Sequence, residues 1–254
     1  MNKIHKWMVS NKLSINYSKT KYMLFHRRRN ENLFSLYINN NKIEKVDCIE
    51  YLGVKSDDRL SWREHITHIE SKLSSACGAI YRLRQSVSQE CLRTFYFAHA
   101  YFHLQCSILA WCNTLNQCLE RVNSLHGKLI RLMTLHGPLK DFHFSANEMF
   151  KNMDLLRIKD IFELELAKFM YKAEANELPE NFDKYFTRIE NIYGYNLRSI
   201  SNKTFYTKYV NTTKYKSWLT NSGVELWKNI TPEMKKLPYK SFSTKYKQNI
   251  IESY

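Results

Sequence analysis

The chain has little glycine and less proline, six and four residues in 254, and this scarcity narrows the chemistry at once. The glycine-rich phosphate cradles GxxxxGK[ST] and GxGxxG are absent, as are the GxSxG nucleophile elbow and the HExxH zinc motif. No familiar nucleotide-loop, hydrolase or metalloprotease signature is therefore present. No run of about eighteen apolar residues occurs, the length a membrane-spanning helix needs. The first twenty residues are too polar for the apolar part of a secretory signal. The expectation is a soluble, intracellular protein of nucleus or cytoplasm, neither secreted nor membrane-bound. The six cysteines (Cys48, Cys77, Cys91, Cys106, Cys112, Cys118) form no CxxC pair, and most fall at helical spacing. Buried free thiols are expected there rather than a zinc site. Asn16-Tyr-Ser18 and Asn211-Thr-Thr213 fit the glycosylation pattern, which without a secretory signal carries no weight.

Acid is also missing where the chain begins. Lys3, Lys6, Lys12, Lys19, Lys21, Arg27, Arg28 and Arg29 all precede the first carboxylate, Glu31. The whole chain carries +15, a surplus that favours polyanions such as nucleic acid. It is also rich in Lys, Asn, Tyr and Ile, as A+T-rich codons produce, so the distribution of charge matters more than its total. A second lysine-rich stretch, Lys203 to Lys247, interleaves Tyr206, Tyr209, Tyr215, Trp218 and Trp227 with its charges. That pattern suits backbone neutralisation with base stacking, and equally a solvated face over an aromatic core.

What is present is enough apolar material for a core, 44% of the residues. Tyr22 to His26, Phe34 to Ile38, Ile43 to Val46 and Ile49 to Val54 read as short strands, and Asn39-Asn40-Asn41 suits a tight hairpin turn. At Ser61 the period lengthens: Trp62, Ile66, Ile69, Leu73, Ala76, Ile80 and Leu83 make a helical stripe, opened by the capping box Ser61-Trp-Arg-Glu64. Further helical stripes run over Leu92, Phe95, His99, Phe102, Cys106 and Leu109, and over Leu119, Val122, Leu125, Leu129 and Leu132, before Gly137-Pro138. Ser145-Ala-Asn-Glu148 is a second capping box, and Leu155, Ile158, Phe162, Leu166 and Phe169 predict a helix ending before Pro179. Residues Tyr193 to Lys214 read as irregular or briefly extended, with helices near Lys216 to Asn229 and Phe242 to Ile251. The fold class is mainly α with a small N-terminal antiparallel β segment, an α+β chain. Its expected parts are residues 1–56, 57–140 and 141–254.

Reactive groups are few. His65 and His68, like His99 and His103, share helix faces, but no nearby acid completes a metal site, so ordinary core or surface histidines are expected. Asp57-Asp58 is an adjacent carboxylate pair of the kind that marks a turn.

The ordered string Trp7, Asn11, Leu13, Ile15, Asn16, Lys19, Thr20, Met23 and Phe25 resembles a segment of non-LTR retrotransposon reverse transcriptases of the jockey-like LINE group. There it takes the form Trp followed by Asn-x-Leu-x-Leu-Asn-x-x-Lys-Thr-x-x-Met-x-Phe. Ile49-Glu-Tyr51-Leu52-Gly53-Val54 and Leu60-Ser-Trp62-Arg-Glu-His65-Ile66 continue the likeness at suitable distances. Cys106-Ser-Ile-Leu-Ala-Trp111, Leu125-His-Gly-Lys-Leu-Ile-Arg131 and Tyr195-Asn-Leu-Arg198-Ser199 resemble the region beyond the thumb. Leu226-Trp227-Lys228-Asn229-Ile230-Thr231-Pro232 departs from that family's Leu-Trp-Asn-x-Leu-Pro.

The resemblance implies the end of a palm, a helical thumb-like bundle, and further helices with a basic tail. It implies Lys19 as a general acid toward departing pyrophosphate, with a plain phosphate-facing or solvent-facing lysine as the alternative. It implies Tyr51, Leu52 and Gly53 as the primer grip, with a buried strand end as the alternative. Lys12, Lys21, Arg27, Arg28 and Arg29, with Lys72, Arg82 and Arg84 on the helix after Trp62, would face the backbone of an RNA/DNA template–primer. The family's metal-binding aspartates lie upstream of its Trp. No metal ligand or cofactor is therefore expected in this chain, and Mg2+ belongs only to the complete polymerase. The implied function is that of a C-terminal fragment of an RNA-directed DNA polymerase (reverse transcriptase) of a mobile element, binding template–primer nucleic acid, lacking the catalytic Asp-Asp motif and not polymerising alone. The alternative is a non-catalytic basic helical nucleic-acid-binding module derived from such an element. A mitochondrial transit peptide would instead require a helical, cleavable start, whereas Asn16, Tyr17 and the run to Phe25 read as a strand. Oligomeric state has no signature here.

Overall fold

The computed structural model describes residues 2–25, 35–113, 116–134, 145–189, 205–206 and 218–254. It is mainly helical with a few small sheets, and it divides into two compact units, Met1–His68 and Ile69–Tyr254.

The first unit opens with a helix, α1 (Asn2–Ser10), and not with a strand. Lys12 ends it by turning left-handed, φ 57°. Its N–H donates to Val9 O at 3.0 Å and that of Leu13 to Met8 O at 2.9 Å, the double closure of a helix terminus that usually takes glycine. The expected strand from Asn16 to Phe25 shrinks to two residues because Asn16 captures the local donors. Its side-chain carbonyl accepts from Ser18 Oγ at 2.7 Å and from the Lys19 N–H at 3.1 Å, while its backbone carbonyl accepts from the Thr20 N–H and hydroxyl.

Among the described residues six short strands follow: β1 (Lys21–Tyr22), β2 (Tyr37–Ile38), β3 (Asn41–Lys42), β4 (Glu44–Lys45), β5 (Cys48–Tyr51) and β6 (Val54–Asp57). They do not form one antiparallel sheet. β1 pairs in parallel with β4, whereas β2–β3 and β5–β6 are separate antiparallel hairpins. In the first hairpin Asn39 and Asn40 hold φ 48° and 65°, so the turn sits on asparagine as the sequence suggests, with Asn41 already in the strand.

The long helix α2 (Arg63–Leu83) starts one residue later than its capping box predicts. The Ser61 hydroxyl donates to Asp57 Oδ2 at 2.6 Å and so is spent elsewhere, and Trp62 stands left-handed at φ 61°. Its stripe is real: Ile66, Ile69, Leu73, Ala76, Cys77 and Ile80 are buried.

In the second unit α3 (Gln89–Tyr96) widens into a π-helical turn at Phe97–Tyr101 before α4 (Phe102–Gln105). The stripe from Leu92 to Leu109 is thus not one regular helix. Cys106 leaves the helix and Ser107 turns left-handed, φ 51°, ahead of α5 (Ile108–Trp111). Trp111 is buried and its indole N–H donates to Cys106 O at 2.8 Å, closing the break. α6 (Asn116–Thr134), α7 (Ala146–Asn152) and α8 (Ile158–Glu174) follow. Ser145 and Glu148 make the expected capping box on α7. Leu155 precedes α8 but is buried all the same. Among the described residues a 3-10 turn (Glu180–Tyr185) and three more helices follow: α9 (Leu219–Asn229), α10 (Pro232–Lys235) and α11 (Tyr239–Glu252).

α8 is the hub, touching α4, α5, α9 and α11. It buries Ile158, Ile161, Leu164, Leu166, Ala167, Met170 and Ala173. Helix α9 comes so close that a methyl group on Gly223 would lie 2.8 Å from Met170 Sδ. Aromatic rings fill the gap toward α11: Tyr171 and Phe242 stand 5.0 Å apart, Trp227 and Phe242 5.8 Å, Phe242 and Tyr246 5.8 Å. The chain's last residue is tied in as well. The Tyr254 hydroxyl donates to Asp160 Oδ2 at 2.5 Å, and the Arg157 guanidinium lies 4.2 Å over its ring. Among the described residues no helix is long and apolar enough to cross a membrane.

Candidate nucleic-acid interface

The residues singled out by the sequence fall into three sets. In the first unit, Lys12 and Lys19 are exposed on the segment that follows α1. Lys12 is fixed there by the left-handed helix terminus. Lys19 is fixed by the Asn16 turn, with Thr20 closing it from behind. Lys21 is different: its Nζ lies 3.1 Å from Glu44 Oε2, its register partner across β1–β4, so half of its field is already answered. Arg27, Arg28 and Arg29 lie outside the described residues.

The second set is Tyr51, Leu52 and Gly53. They are not a buried strand end. Tyr51 pairs with Val54, which leaves Leu52 (φ 50°) and Gly53 (φ 80°) as a two-residue turn with both residues left-handed, the type I′ geometry of a tight hairpin. Tyr51 is 71% exposed and Leu52 81%. A Cβ placed on Gly53 would meet nothing within 4 Å. Glycine is demanded here by the positive φ and not by crowding inside the chain, and the tip's backbone stands open to approach.

The base of this hairpin is held from α2 and the turn before it. The Lys55 N–H donates to Nδ1 of buried His65 at 3.4 Å. Asp57 accepts from the Arg59 and Ser61 N–H groups at 3.0 and 2.8 Å and from the Ser61 hydroxyl. Burial pushes the Asp57 carboxyl up, but these hydrogen bonds to its charged form outweigh it and leave the group below the usual carboxylate range. Asp57 is thus a turn organiser, as its pairing with Asp58 suggests.

The third set lies beyond the first unit, Lys72 and Arg82 on α2 and Arg84 just past its end, where its N–H still donates to Ile80 O at 2.9 Å. Lys72 and Arg82 are exposed. Arg84 is not presented to a duplex, and this corrects the expectation. It is 8% exposed, its guanidinium lies 4.9 Å from the Tyr81 ring, and its Nη1 is buried without a hydrogen-bond partner among the described residues. The reason is rotational. At 100° per residue Arg84 points about 120° away from Lys72, toward the packed side of the helix.

Two features were not anticipated. One is Asn16, legible only as an asparagine with Ser two residues and Thr four residues further on. The other is a buried polar pair in the second unit. The Tyr96 hydroxyl and His126 Nε2 are 2.8 Å apart, with neither side chain more than 1% exposed. Burial pushes the His126 imidazole down to about 3 and Tyr96 well above its ordinary value. Periodicity marks residues as inward-facing but does not say which inward residues, thirty positions apart, will meet.

Cys48 and Cys91 are exposed, against expectation, whereas Cys77 is buried and Cys106 and Cys112 are half-buried; all five are free thiols. Cys118 lies outside the residues whose side chains are described. Burial alone raises Cys112 to about 12, which makes it an inert thiol at neutral pH. Among the described residues no group of three or more His, Cys, Asp or Glu is placed to hold a metal ion. No protein-family model matches the chain, and neither a curated protein nor a solved structure matches it.

Proposed function

We propose that the chain is the nucleic-acid-binding end of a reverse transcriptase of the non-LTR retrotransposon kind, comprising the close of the palm, the thumb and the region beyond. Its substrate is an RNA/DNA template–primer. The observation that carries this reading is the coincidence of motif and geometry at Tyr51-Leu52-Gly53. The triplet that resembles a primer grip is an exposed two-residue turn with an open backbone and two large apolar side chains in solvent. Lys12 and Lys19 supply cations to phosphate in the first unit, and Lys72 and Arg82 supply them on α2; Lys21 contributes less because Glu44 answers it. Lys19 matches the family's pyrophosphate-side lysine in the sequence motif alone, and a positioned cation in that role would stabilise growing negative charge. In the family the two-metal joining of nucleotides belongs to palm aspartates upstream of the matched Trp, and the residues named here would bind and orient the template–primer.

The test is equilibrium binding of the full chain to a labelled primer–template duplex across salt. Binding should weaken steeply with salt, and Lys12→Gln with Lys19→Gln together should reduce the slope of log affinity against log salt by about two. Absence of binding, or a flat salt response, refutes the reading.

A further inference from the structure

The second unit has a charged surface that the resemblance leaves without a role. Helix α11 turns Phe242, Tyr246, Ile250 and Ile251 inward. Its outward side is Lys240, Ser241, Thr244, Lys245, Gln248 and Asn249, all exposed. From Met234 to Ile251 there is no carboxylate at all, and Lys236 extends the exposed row ahead of the helix. Lys172 adds a cation from α8, its Nζ lying 5.4 Å from the Tyr239 ring at the start of α11.

Exposed carboxylates bound the row at its two ends, Glu233 before Lys236 and Glu252 in the last turn of α11, and those packed against the helix are held by partners. Glu163 accepts from the Tyr246 hydroxyl at 2.9 Å, Asp160 from that of Tyr254 and from Arg157, and Asp154 holds Lys247 at 2.5 Å. Each is engaged by a partner, although Asp154 is itself 55% exposed. Lys236, Lys240 and Lys245 are in no ion pair among the described residues.

We propose that this outward side of α11, with Lys236 and Lys172 at its border, is a binding face for a nucleic-acid phosphodiester backbone, separate from the interface of the first unit and resting on none of its residues. The chemistry selects that partner. Ammonium, hydroxyl and amide donors without an acid among them are the side chains that contact phosphate and sugar. The helix spans about 21 Å, along which a duplex strand offers a phosphate every ~3.4 Å of axis. A lipid surface is disfavoured because the exposed arc holds no apolar side chain to enter the acyl boundary. Donors of this kind read the backbone and not the bases, so RNA and DNA of any sequence should bind alike.

The experiment is fluorescence anisotropy of the full chain with labelled RNA and DNA oligonucleotides of about 20 nucleotides, from about 50 to 300 mM salt. Lys236→Gln, Lys240→Gln and Lys245→Gln together should lower the salt slope by about two to three and weaken binding at the lowest salt by tenfold or more. The circular dichroism spectrum and melt should stay unchanged, since all three side chains are exposed. An unchanged slope overturns the proposal, as does a loss confined to vesicles containing phosphatidylserine or to one of the two nucleic acids. The Lys12→Gln, Lys19→Gln chain run in parallel separates the two interfaces. If it alone loses slope, the α11 face fails and the first-unit reading stands; if the triple variant alone loses slope, the reverse holds.

Discussion

Lowering the pH from 7 to 5 should cost the second unit about 2 kcal/mol through one side chain, His126. The imidazole is buried, its Nε2 is 2.8 Å from the Tyr96 hydroxyl, and Phe150 stands edge-on at 5.2 Å between centroids. Burial sets its folded value at about 3, against an ordinary value of 6.5. Because the folded value is depressed, the unfolded chain takes up the proton first. The stability held above pH 6.5 is therefore lost as pH falls from there toward the folded value. From pH 6.5 to 5 that is about one and a half units, at roughly 1.4 kcal/mol each.

The measurement is urea unfolding followed by circular dichroism at a series of pH values, on the wild type and on Tyr96→Phe with His126→Leu. Replacing both partners avoids stranding a buried hydroxyl, so the double variant should still fold. Wild-type stability should fall toward pH 5 by about 2 kcal/mol more than that of the double variant. Parallel lines for the two proteins would refute the reasoning, because they would mean that His126 titrates in the folded chain as it does in the unfolded one.

Phe242→Ala should destabilise the second unit by about 3 to 5 kcal/mol, read from the same urea curves, since the ring is fully buried between Tyr171, Trp227 and Tyr246. Lys12→Gly should stabilise the first unit by about 1 kcal/mol by relieving a left-handed lysine, and hydrogen exchange at the amides of Lys12 and Leu13 should slow. Leu52→Gly should likewise stabilise the β5–β6 hairpin by about 1 kcal/mol, while weakening template–primer binding in the anisotropy assay. A Leu52→Gly chain that binds unchanged removes the apolar tip from the interface.

What the sequence revealed follows from the range of the forces involved. The stripe of α2 is a local pattern repeated over several turns, and it holds from Ile66 to Ile80 while Leu83 is 37% exposed; the helix expected near Phe242 to Ile251 forms as well. Two capping boxes have the same spelling, yet only Ser145 and Glu148 close one. At Ser61 the hydroxyl meets a competing carboxylate, Asp57, which the hairpin carries to within 2.6 Å. The parallel pairing of β1 with β4, the burial of Arg84 and the meeting of Tyr96 with His126 are settled by contacts remote in sequence or by the angle of a helix against its core. For the candidate interface, the turn at Leu52-Gly53 was readable as a motif, but its exposure was not, because the same letters fit a buried strand end.

The shortage of glycine has a structural consequence that bears on function. Among the described residues nine others adopt positive φ, and six of these, Lys12, Asn39, Asn40, Leu52, Leu60 and Trp62, belong to the first unit. Asparagine tolerates this region at little cost, whereas leucine, lysine and tryptophan give up about 1 to 2 kcal/mol each. Trp62 recovers part of it, half-buried with its ring 6.5 Å from that of His65. Lys12 recovers part by closing α1. Leu52 recovers none within the chain: it is 81% exposed, in a turn position that asparagine or glycine would fill more easily. If the proposed function holds, this strain, which no contact described here offsets, falls on the triplet that resembles a primer grip, where a bound partner would offset it.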